Sequence, residues 1–195
     1  MHKSCSMLLA AMAVGGICGI CVPRASAQST PRFETGASYS FVRSNAPPGS
    51  CGCFSMNGGN AWFGYGFYRD WSVVGELGAV RAPSIGTAGA DLTLFTYLGG
   101  PRYDWHHHWR YSSRVKPFGQ LLLGGVHAGG SLATLGTPNS FAMTAGGGAD
   151  VRLTSRWGIR AFQADYFLTR LNNGGNNRQN NLRISFGVIY RFNRD

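Results

Sequence analysis

The chain has 195 residues, of which 29 are glycine, 13% are aromatic and only 13% are charged. An average soluble domain carries about 25% charged residues and roughly 7% glycine. The composition therefore disfavours a helical bundle and an ordinary cytosolic enzyme, and it favours an all-β domain. The formal net charge is +10, but the basic residues are scattered along the chain with no dense run, so we expect no nucleic-acid binding.

The first 27 residues have the pattern of an export signal. Lys3 gives a positively charged start, residues 7–22 form an apolar run, and residues 25–27 supply the small side chains that precede a cleavage site. The apolar run is shorter than the ~18 residues that a membrane-spanning helix needs. We therefore expect a cleaved signal peptide at residues 1–27 and a single domain at residues 28–195.

Only two of the five cysteines lie outside the predicted signal, and they form the pair Cys51 and Cys53. In an oxidising compartment this pair can close a small strained ring, so a loop disulfide is one expectation. Free or intermolecular thiols are the alternative. A metal site would need more ligands than this neighbourhood contains, and we expect none.

After the signal, apolar residues recur at every second position, which is the period of a β-strand. Small or polar residues occupy the positions between them. Segments 91–103 and 115–127 follow the same period less regularly. The predicted outward face of the first three strands consists of Phe33, Thr35, Ala37, Tyr39 and Phe41, then Ala61, Phe63, Tyr65 and Phe67, then Val73, Gly75, Leu77 and Ala79.

The last segment of the chain shows the alternation most clearly. Leu182, Ile184, Phe186, Val188, Tyr190 and Phe192 alternate with Arg183, Ser185, Gly187, Ile189 and Arg191. Segments 141–153 and 161–168 repeat the pattern just upstream, with the glycines Gly146 and Gly148 on the predicted inner face. The whole chain thus contains eight candidate strands.

The connections between these strands alternate in length. Residues 69–70 and 154–156 are tight turns, and the link at residues 104–114 is long where a short turn is expected. Longer links rich in Gly, Asn and Pro fall at residues 43–57, 83–89, 128–139 and 170–180. Eight antiparallel strands with long loops at one end predict an eight-stranded antiparallel up-and-down transmembrane β-barrel.

The direction in which the apolar residues face separates this prediction from a soluble barrel. In hydrocarbon every backbone N–H and C=O must be paired, so a sheet can cross a bilayer only when it closes on itself. Each strand must then supply roughly 9 to 11 residues, and all eight candidates do. In a soluble lipocalin-like barrel Phe186 and Val188 would face inward and Arg183 and Arg191 outward, which inverts our assignment.

Several segments resemble the OmpA-type outer-membrane β-barrel superfamily. Residues 185–192 are similar to the last-strand signal that such proteins present to the barrel assembly machinery, and residues 97–103 and 116–120 resemble recurring strand phrases of the group. The resemblance covers residues 33–192 and implies a bacterial outer-membrane, OmpA-like and porin-like location in the cell envelope. It implies that the assembly signal lies at Ser185, Gly187, Tyr190 and Phe192.

Charged and polar residues at predicted inward positions carry both signs. We expect them to form a paired network that plugs the polar lumen, because an unpaired charge in so narrow a space costs several kcal/mol. The predicted network consists of Glu76, Arg102, Asp150, Arg152, Gln163, Asp165, Arg183 and Arg191.

The outer loops carry arginines and no acids that would neutralise them. We expect Arg43, Arg81, Arg170 and Arg178 to form a basic rim facing the phosphates of lipopolysaccharide at the outer leaflet. The expected partners are therefore outer-membrane lipid, lipopolysaccharide and, during biogenesis, the barrel assembly machinery. We expect a monomer.

Histidines provide the remaining candidate chemistry. Residues 106–108 are three adjacent histidines, which lack the further ligands of a defined metal site, so we expect no metal and no cofactor. His127 and Ser131 are the only pair resembling that of a lipid A-modifying barrel enzyme, and no outer-loop acid would orient the histidine. We expect a structural or surface-interaction protein without catalytic residues. The alternatives are a narrow ion-conducting channel, a lipid A-modifying enzyme and an adhesin-like barrel.

Overall fold

The computed structural model describes residues 33–45, 53–85, 90–105, 114–130, 138–171 and 178–192. These residues form eight strands: β1 Phe33–Asn45, β2 Cys53–Tyr68, β3 Trp71–Ile85, β4 Ala90–Asp104, β5 Val115–Gly129, β6 Asn139–Arg152, β7 Trp157–Thr169 and β8 Gln179–Phe192. No helix among the described residues is long and apolar enough to span a membrane. The predicted signal peptide, Cys51, the histidines at 106–108 and Ser131 lie outside the described residues, as does the side chain of Cys53.

The eight strands close into one antiparallel barrel in chain order. The closing seam joins β1 to β8, with register from Phe33 opposite Phe192 to Ser44 opposite Asn181. Every strand therefore has two hydrogen-bonded neighbours, and the sheet has no free edge. The predicted all-β fold, its eight strands and their order are confirmed.

One end of the barrel carries the tight turns, the start of β1 and the end of β8, and we call it the turn end. Arg69 there has a positive φ of 46°, in the two-residue connection between β2 and β3. The opposite end, the loop end, carries the connections β1–β2, β3–β4, β5–β6 and β7–β8. In outer-membrane barrels short turns face the periplasm and long loops the outside.

The outer surface of the barrel is an apolar band flanked by aromatic residues at the turn end. Phe186 and Val188 are exposed by 55% and 51%, as the predicted outward face of β8 requires. Ring centroids of Trp71 and Tyr103, and of Trp157 and Tyr190, lie 5.1 and 5.0 Å apart. Clustered Trp and Tyr side chains are typical of the membrane interface.

The strands contain 13 to 16 residues, more than the roughly 9 to 11 that cross hydrocarbon. Towards the loop end, the two faces exchange character on several strands: apolar residues face inward and charged residues face outward. Val42 and Val80 face inward and are buried, whereas the neighbouring Arg43 and Arg81 face outward and are exposed. Because water replaces lipid outside the barrel there, the hydrophobic effect now favours apolar residues inside. The wall thus continues beyond the apolar band.

A β-bulge in β7 alters the predicted facing of its first half. Ala161 and Phe162 are both exposed, and the register with β6 and with β8 shifts at this point. The alternation predicted for residues 161–168, which requires Ala161 and Phe162 to face opposite sides of the sheet, is therefore wrong at these two residues. The extra residue turns Arg160 inward, where it is 2% exposed.

Two glycines on the inner face of β6 are required by the neighbouring strand. A Cβ at Gly148 would lie 2.1 Å from the carbonyl oxygen of Phe162, and one at Gly146 would lie 2.2 Å from that of Ala164. These contacts are with backbone and cannot be relieved by a side-chain rotation. The glycines thus allow β6 and β7 to approach closely, in addition to leaving room in the lumen.

Candidate functional site: the barrel lumen and its two ends

The inner face of the barrel has two zones. From the turn end to the middle it is rich in charged side chains, which we call the ionic zone, whereas towards the loop end it is mostly apolar, which we call the apolar zone. The ionic zone consists of Glu34, Glu76, Arg102, Asp104, Asp150, Arg160, Gln163, Asp165, Arg183 and Arg191. The apolar zone consists of Val42, Met56, Val80, Ala82, Leu94, Val126, Ala128, Ala142 and Phe167.

In the middle of the barrel, Arg183 of β8 joins two carboxylates from opposite sides of the lumen. Its guanidinium donates to Glu76 of β3, and its Nε and Nη2 donate to Oδ2 of Asp165 at 2.9 and 2.7 Å. All three side chains are at most 5% exposed. Hydrogen bonds then continue from Glu76 to Asn60 and from Asn60 to Ser40.

Nearer the turn end, Asp150 accepts hydrogen bonds from two arginines. Arg102 Nη2 lies 2.7 Å from its Oδ2, and Arg160 Nε lies 2.9 Å from its Oδ1. Gln163 connects this cluster to the middle one, since it accepts from Arg160 at 2.7 Å and donates to Asp165 at 2.6 Å. The charged side chains thus form one continuous network. Such pairing offsets the cost of burying each charge.

Two aromatic rings enclose the arginines of this network. The Cζ atoms of Arg102 and Arg160 lie 4.1 and 4.4 Å from the ring centroid of Phe118 on β5. On the other side, they lie 5.3 and 4.5 Å from the ring of Trp62 on β2. A guanidinium over an aromatic face gains electrostatic attraction and loses contact with water. This layer of side chains occupies the lumen between β2 and β5.

The turn-end mouth holds the remaining predicted network residues. Arg191 is 2% exposed, and its Nε lies 3.6 Å from Oε2 of Glu34. Arg152 faces inward with a buried Nε that has no hydrogen-bond partner, and within the described ranges it has no ion pair. Of the predicted network, Arg102 and Asp150 form one hydrogen-bonded group, and Glu76, Gln163, Asp165 and Arg183 form another. Arg160, which was not predicted, joins the two groups.

Sequence reasoning missed Glu34, Asp104 and Arg160 as lumen residues. Arg102 donates through Nε to Oδ1 of Asp104 at 2.9 Å, and its Nη1 lies 3.4 Å from Oε1 of Glu34. Glu34 and Asp104 lie at strand ends, where the pattern alone did not separate lumen from turn. Two consecutive apolar residues at 161–162 interrupt the alternation, and they are the sequence feature that could have indicated the bulge that turns Arg160 into the lumen.

The apolar zone corrects the expectation of a polar lumen. Val42, Val126 and Ala142 have no exposed surface, and Phe167 is 2% exposed. Phe54, Ile85, Leu92 and Leu171 pack against the same cluster. The loop-end half of the lumen is therefore filled mainly by packed apolar side chains, as in the core of a water-soluble barrel.

Closure of the barrel brings the four predicted rim arginines into one arc. Arg170 directly follows β7, Arg178 precedes β8, Arg43 lies on β1 and Arg81 lies on β3, so the arc spans five consecutive strands. All four are exposed. The expectation of a rim without acids is wrong at one position, because Asp91 Oδ2 lies 3.5 Å from Arg81 Nη2. Arg43 donates to the Ser55 hydroxyl at 2.8 Å.

The loop end of the opposite arc contains His127. Its Nδ1 lies 2.8 Å from Oδ1 of Asn139, and both residues are exposed. An amide orients a histidine but cannot stabilise its charged form as a carboxylate does. No group of three or more His, Cys, Asp or Glu residues that could hold a metal occurs in the described part of the chain.

The residues of the predicted assembly signal lie along β8. Ser185 faces the lumen and is fully buried, and its hydroxyl lies 2.9 Å from that of Ser40. Tyr190 and Phe192 face outward at the turn end, with ring centroids 5.0 Å apart. A Cβ at Gly187 would lie 2.1 Å from the Ala37 carbonyl oxygen of β1, so this glycine lets the closing seam form.

Comparisons with known proteins agree with this architecture. Residues 9–192 match the family model described as outer membrane protein beta-barrel domain. A comparison with curated proteins gives no match.

The solved structures that are similar to the chain include those of three proteins. Neisserial surface protein A (NspA) has a TM-score of 0.62 and 17% identity, covering 82% of this chain and 97% of its own. Ail, the attachment invasion locus protein of Yersinia pestis, has a TM-score of 0.52 and 18% identity, covering 83% and 99%. OprG of Pseudomonas aeruginosa has a TM-score of 0.52 and 14% identity, covering 83% and 96%. At these identities the likeness concerns the fold.

Proposed function

Because the chain belongs to the outer membrane protein beta-barrel domain family, we propose that it is a plugged, non-catalytic outer-membrane barrel whose outer rim binds anionic groups at the membrane surface. The family and the similar structures indicate the bacterial outer membrane as its location. Export through the signal peptide at residues 1–27 and assembly through the β8 signal belong to the same proposal.

The basic arc carries the binding part of this proposal. Arg43, Arg170 and Arg178 are exposed, and Arg81 is exposed by 63% even with Asp91 beside it. They lie where the apolar band ends at the loop end, and if long loops face the outside this is the end nearest to the phosphates of lipopolysaccharide. Guanidinium groups suit phosphate oxygens, since their donors form paired, charge-assisted hydrogen bonds. Lipopolysaccharide is the anion that the location favours.

The filled lumen supports a structural rather than a conducting role. An ion crossing the barrel would have to displace the Arg102–Asp150–Arg160 layer and then enter the packed apolar zone. A dry apolar constriction excludes ions by the cost of removing their hydration. We therefore expect no single-channel conductance in planar bilayers, and discrete conductance steps would support the channel alternative instead.

Thermal unfolding in the presence of lipopolysaccharide tests the rim. The variant Arg43→Gln/Arg178→Gln removes two charges from the arc, and the control Arg69→Gln/Arg156→Gln removes two exposed charges at the turn end. Lipopolysaccharide should stabilise the wild type and the control, and several-fold higher concentrations should be needed for the arc variant. With dephosphorylated lipopolysaccharide, the arc variant should be stabilised to the same extent as the wild type and the control. Equal stabilisation of both variants, or no effect of dephosphorylation, would refute phosphate binding by the arc.

A sulfated polyanion offers an independent probe of the same arc. Ail has been solved in complex with the heparin analogue sucrose octasulfate, at 20% identity and a TM-score of 0.50 to this chain. If the arc recognises anionic groups through charge, the octasulfate should compete with lipopolysaccharide, and the competition should weaken with salt. Competition that is unchanged in Arg43→Gln/Arg178→Gln would place the binding elsewhere.

A further inference from the structure

The outer face of β2 carries polar side chains where the apolar band ends. Ser55 lies opposite Arg43 of β1, and Asn57 lies opposite Arg81 of β3. Arg43 Nη1 donates a hydrogen bond to the Ser55 hydroxyl at 2.8 Å, and the Tyr39 hydroxyl donates to Oδ1 of Asn57 at 2.7 Å. Three neighbouring strands thus present guanidinium, hydroxyl and amide groups side by side. We call these residues the polar cluster: Tyr39, Arg43, Ser55, Asn57 and Arg81.

The polar cluster has an excess of positive charge. Arg43 is exposed, and its guanidinium donates to the neutral hydroxyl of Ser55. Arg81 Nη2 lies 3.5 Å from Oδ2 of Asp91, but the Arg81 side chain is still 63% exposed. Two guanidinium groups therefore lie beside one carboxylate in this part of the described barrel. A phosphate offers the paired oxygen acceptors that suit such exposed guanidinium groups.

An apolar groove begins on the membrane side of the polar cluster. Next along β2 on the same outer face come Gly59 and Ala61, where larger side chains are absent. Gly59 lies opposite Ala79 of β3, and Ala61 lies opposite Ala37 of β1. The floor of the groove thus extends over three strands. We call these four small residues the apolar groove: Ala37, Gly59, Ala61 and Ala79.

No side chain of the described barrel covers this groove at Gly59. A Cβ placed at Gly59 would have only the backbone oxygen of Ser38 within 4 Å, at 3.1 Å. Gly125 on the opposite side of the barrel differs, because the Tyr97 ring would lie 2.4 Å from its added Cβ. Bulky exposed side chains stand around the groove instead, and they are Tyr39, Leu77 and Phe95.

We propose that this face of the barrel binds one molecule of lipopolysaccharide, with a lipid A phosphate between Arg43 and Arg81 and an acyl chain in the apolar groove. The inference rests on the proposed function, in which the loop end faces the outer leaflet. It adds that a phosphate and an acyl chain of the same molecule are bound together, on β1, β2 and β3. Small residues in a membrane-facing surface allow close van der Waals packing, which favours an ordered chain over bulk lipid.

The charge of the polar cluster favours this lipid over other occupants of the groove. A second copy of the chain that met this face about a twofold axis would bring its own Arg43 and Arg81 against the first pair. A soluble polyanion could reach the arginines, but it has no part that would enter the groove within the apolar band. A phosphorylated, acylated lipid complements both features, since its phosphates and chains occupy the same two depths.

Two probes separate binding of the phosphate from binding of the chain. The full mature chain is refolded in dodecylmaltoside micelles, which contain no phosphate, and its thermal midpoint is followed with added lipopolysaccharide or with fully deacylated lipopolysaccharide that keeps its phosphates. Arg43→Gln/Arg81→Gln should weaken the apparent affinity for both probes about tenfold or more, because charge-assisted hydrogen bonds are lost. Arg170→Gln/Arg178→Gln removes the same charge from the arc outside the polar cluster and should cause a smaller loss.

Filling the groove tests the chain. Ala61→Phe keeps every arginine and should weaken the affinity for intact lipopolysaccharide about fivefold or more, while the affinity for the deacylated probe stays unchanged. The matched control is Ala145→Phe, at an outward-facing position of β6 away from the groove, and it should change neither affinity. If Ala61→Phe lacks the heat-modifiable gel mobility of a folded barrel, Ala79→Phe replaces it, with the same expected result.

Failure of this inference and failure of the proposed function give different results. If both arginine double variants leave the affinity for the deacylated probe unchanged, the arc binds no phosphate and both proposals are wrong. If the two double variants lose affinity equally, the phosphate is bound along the whole arc and the polar cluster is not the site. If the arginines matter but Ala61→Phe and Ala145→Phe bind intact lipopolysaccharide equally well, no chain lies in the groove, and only the further inference is overturned.

Discussion

Replacing one carboxylate oxygen of Asp150 by an amide nitrogen tests how much the ion pairs of the ionic zone stabilise the barrel. The carboxylate accepts hydrogen bonds from Arg102 Nη2 at 2.7 Å and from Arg160 Nε and Nη2 at 2.9 and 3.3 Å. In Asp150→Asn the shape is kept, but one acceptor becomes an NH2 group facing guanidinium donors. Arg102 then still has the carboxylates of Asp104 and Glu34 beside it, whereas Arg160 has no carboxylate left and keeps only Gln163 as a hydrogen-bond acceptor.

Loss of the Asp150 charge therefore leaves Arg160 as a buried, uncompensated cation that is 2% exposed. Breaking a buried ion pair from one side costs about 3–5 kcal/mol. The matched control is Asp91→Asn, the same chemical change in a pair whose side chains are 63% and 34% exposed. Exposed pairs contribute about 0–1 kcal/mol, so the two variants should differ by at least about 2 kcal/mol.

Urea unfolding of the barrel in lipid vesicles measures this difference through the linear dependence of unfolding free energy on denaturant. Addition of Arg160→Met to Asp150→Asn removes the unpaired cation and should restore most of the loss. If Asp150→Asn and Asp91→Asn destabilise equally, or if Arg160→Met adds a further loss, the ionic zone is hydrated and the pairing does not hold the barrel together.

Two further predictions concern the outer face and the strand contacts. Val188→Arg, in the apolar band on β8, should destabilise the folded barrel in lipid by about 2–4 kcal/mol. Leu182→Arg, at the outer end of the same strand, should cost only about 0–1 kcal/mol, because the cost of a lipid-facing charge depends on its depth in the bilayer. Equal costs would refute the facing of β8. Gly148→Ala should cost about 1–3 kcal/mol or prevent refolding, since its Cβ would lie 2.1 Å from the Phe162 carbonyl oxygen. Gly75→Ala, with nothing within 4 Å of the added atom, should stay within about 0.5 kcal/mol of wild type in the same urea assay; similar losses in the two alanine variants would show that β6 and β7 are not in close contact.

The fold could be predicted because lipid imposes a local rule on sequence. A strand between lipid and a narrow lumen must alternate, so Phe186 and Val188 identify the outer face and Arg183 and Ser185 the inner face from spacing alone. The confirmed eight strands follow from that rule and from the positions of the turns. The rule acts on each strand separately, which is why it needed no knowledge of the neighbours.

The rule fails where the surroundings change or the period is interrupted. Val42 and Val80 are inward and buried because the wall beyond the apolar band is surrounded by water. Val42 and Val80 alternate with Arg43 and Arg81 at the same period of two as in the lipid-spanning part of the strands. Here, however, the apolar residues face inward and the charged residues face outward. Arg160 was missed because one extra residue in β7 shifts the phase, and only pairing with β6 and β8 locates that residue.

The alternating pattern thus identifies which residues can face lipid, how many strands there are, and that charges of both signs lie inside the barrel. Which of these charges form pairs depends on the folded barrel. Glu76 and Arg183 are separated by 107 positions in the chain, and closure of β8 onto β1 places Arg178 and Arg170 on the same side of the barrel as Arg43. Facing depends on the solvent around each residue, which a local pattern records, whereas pairing depends on register and barrel closure, which no local pattern contains.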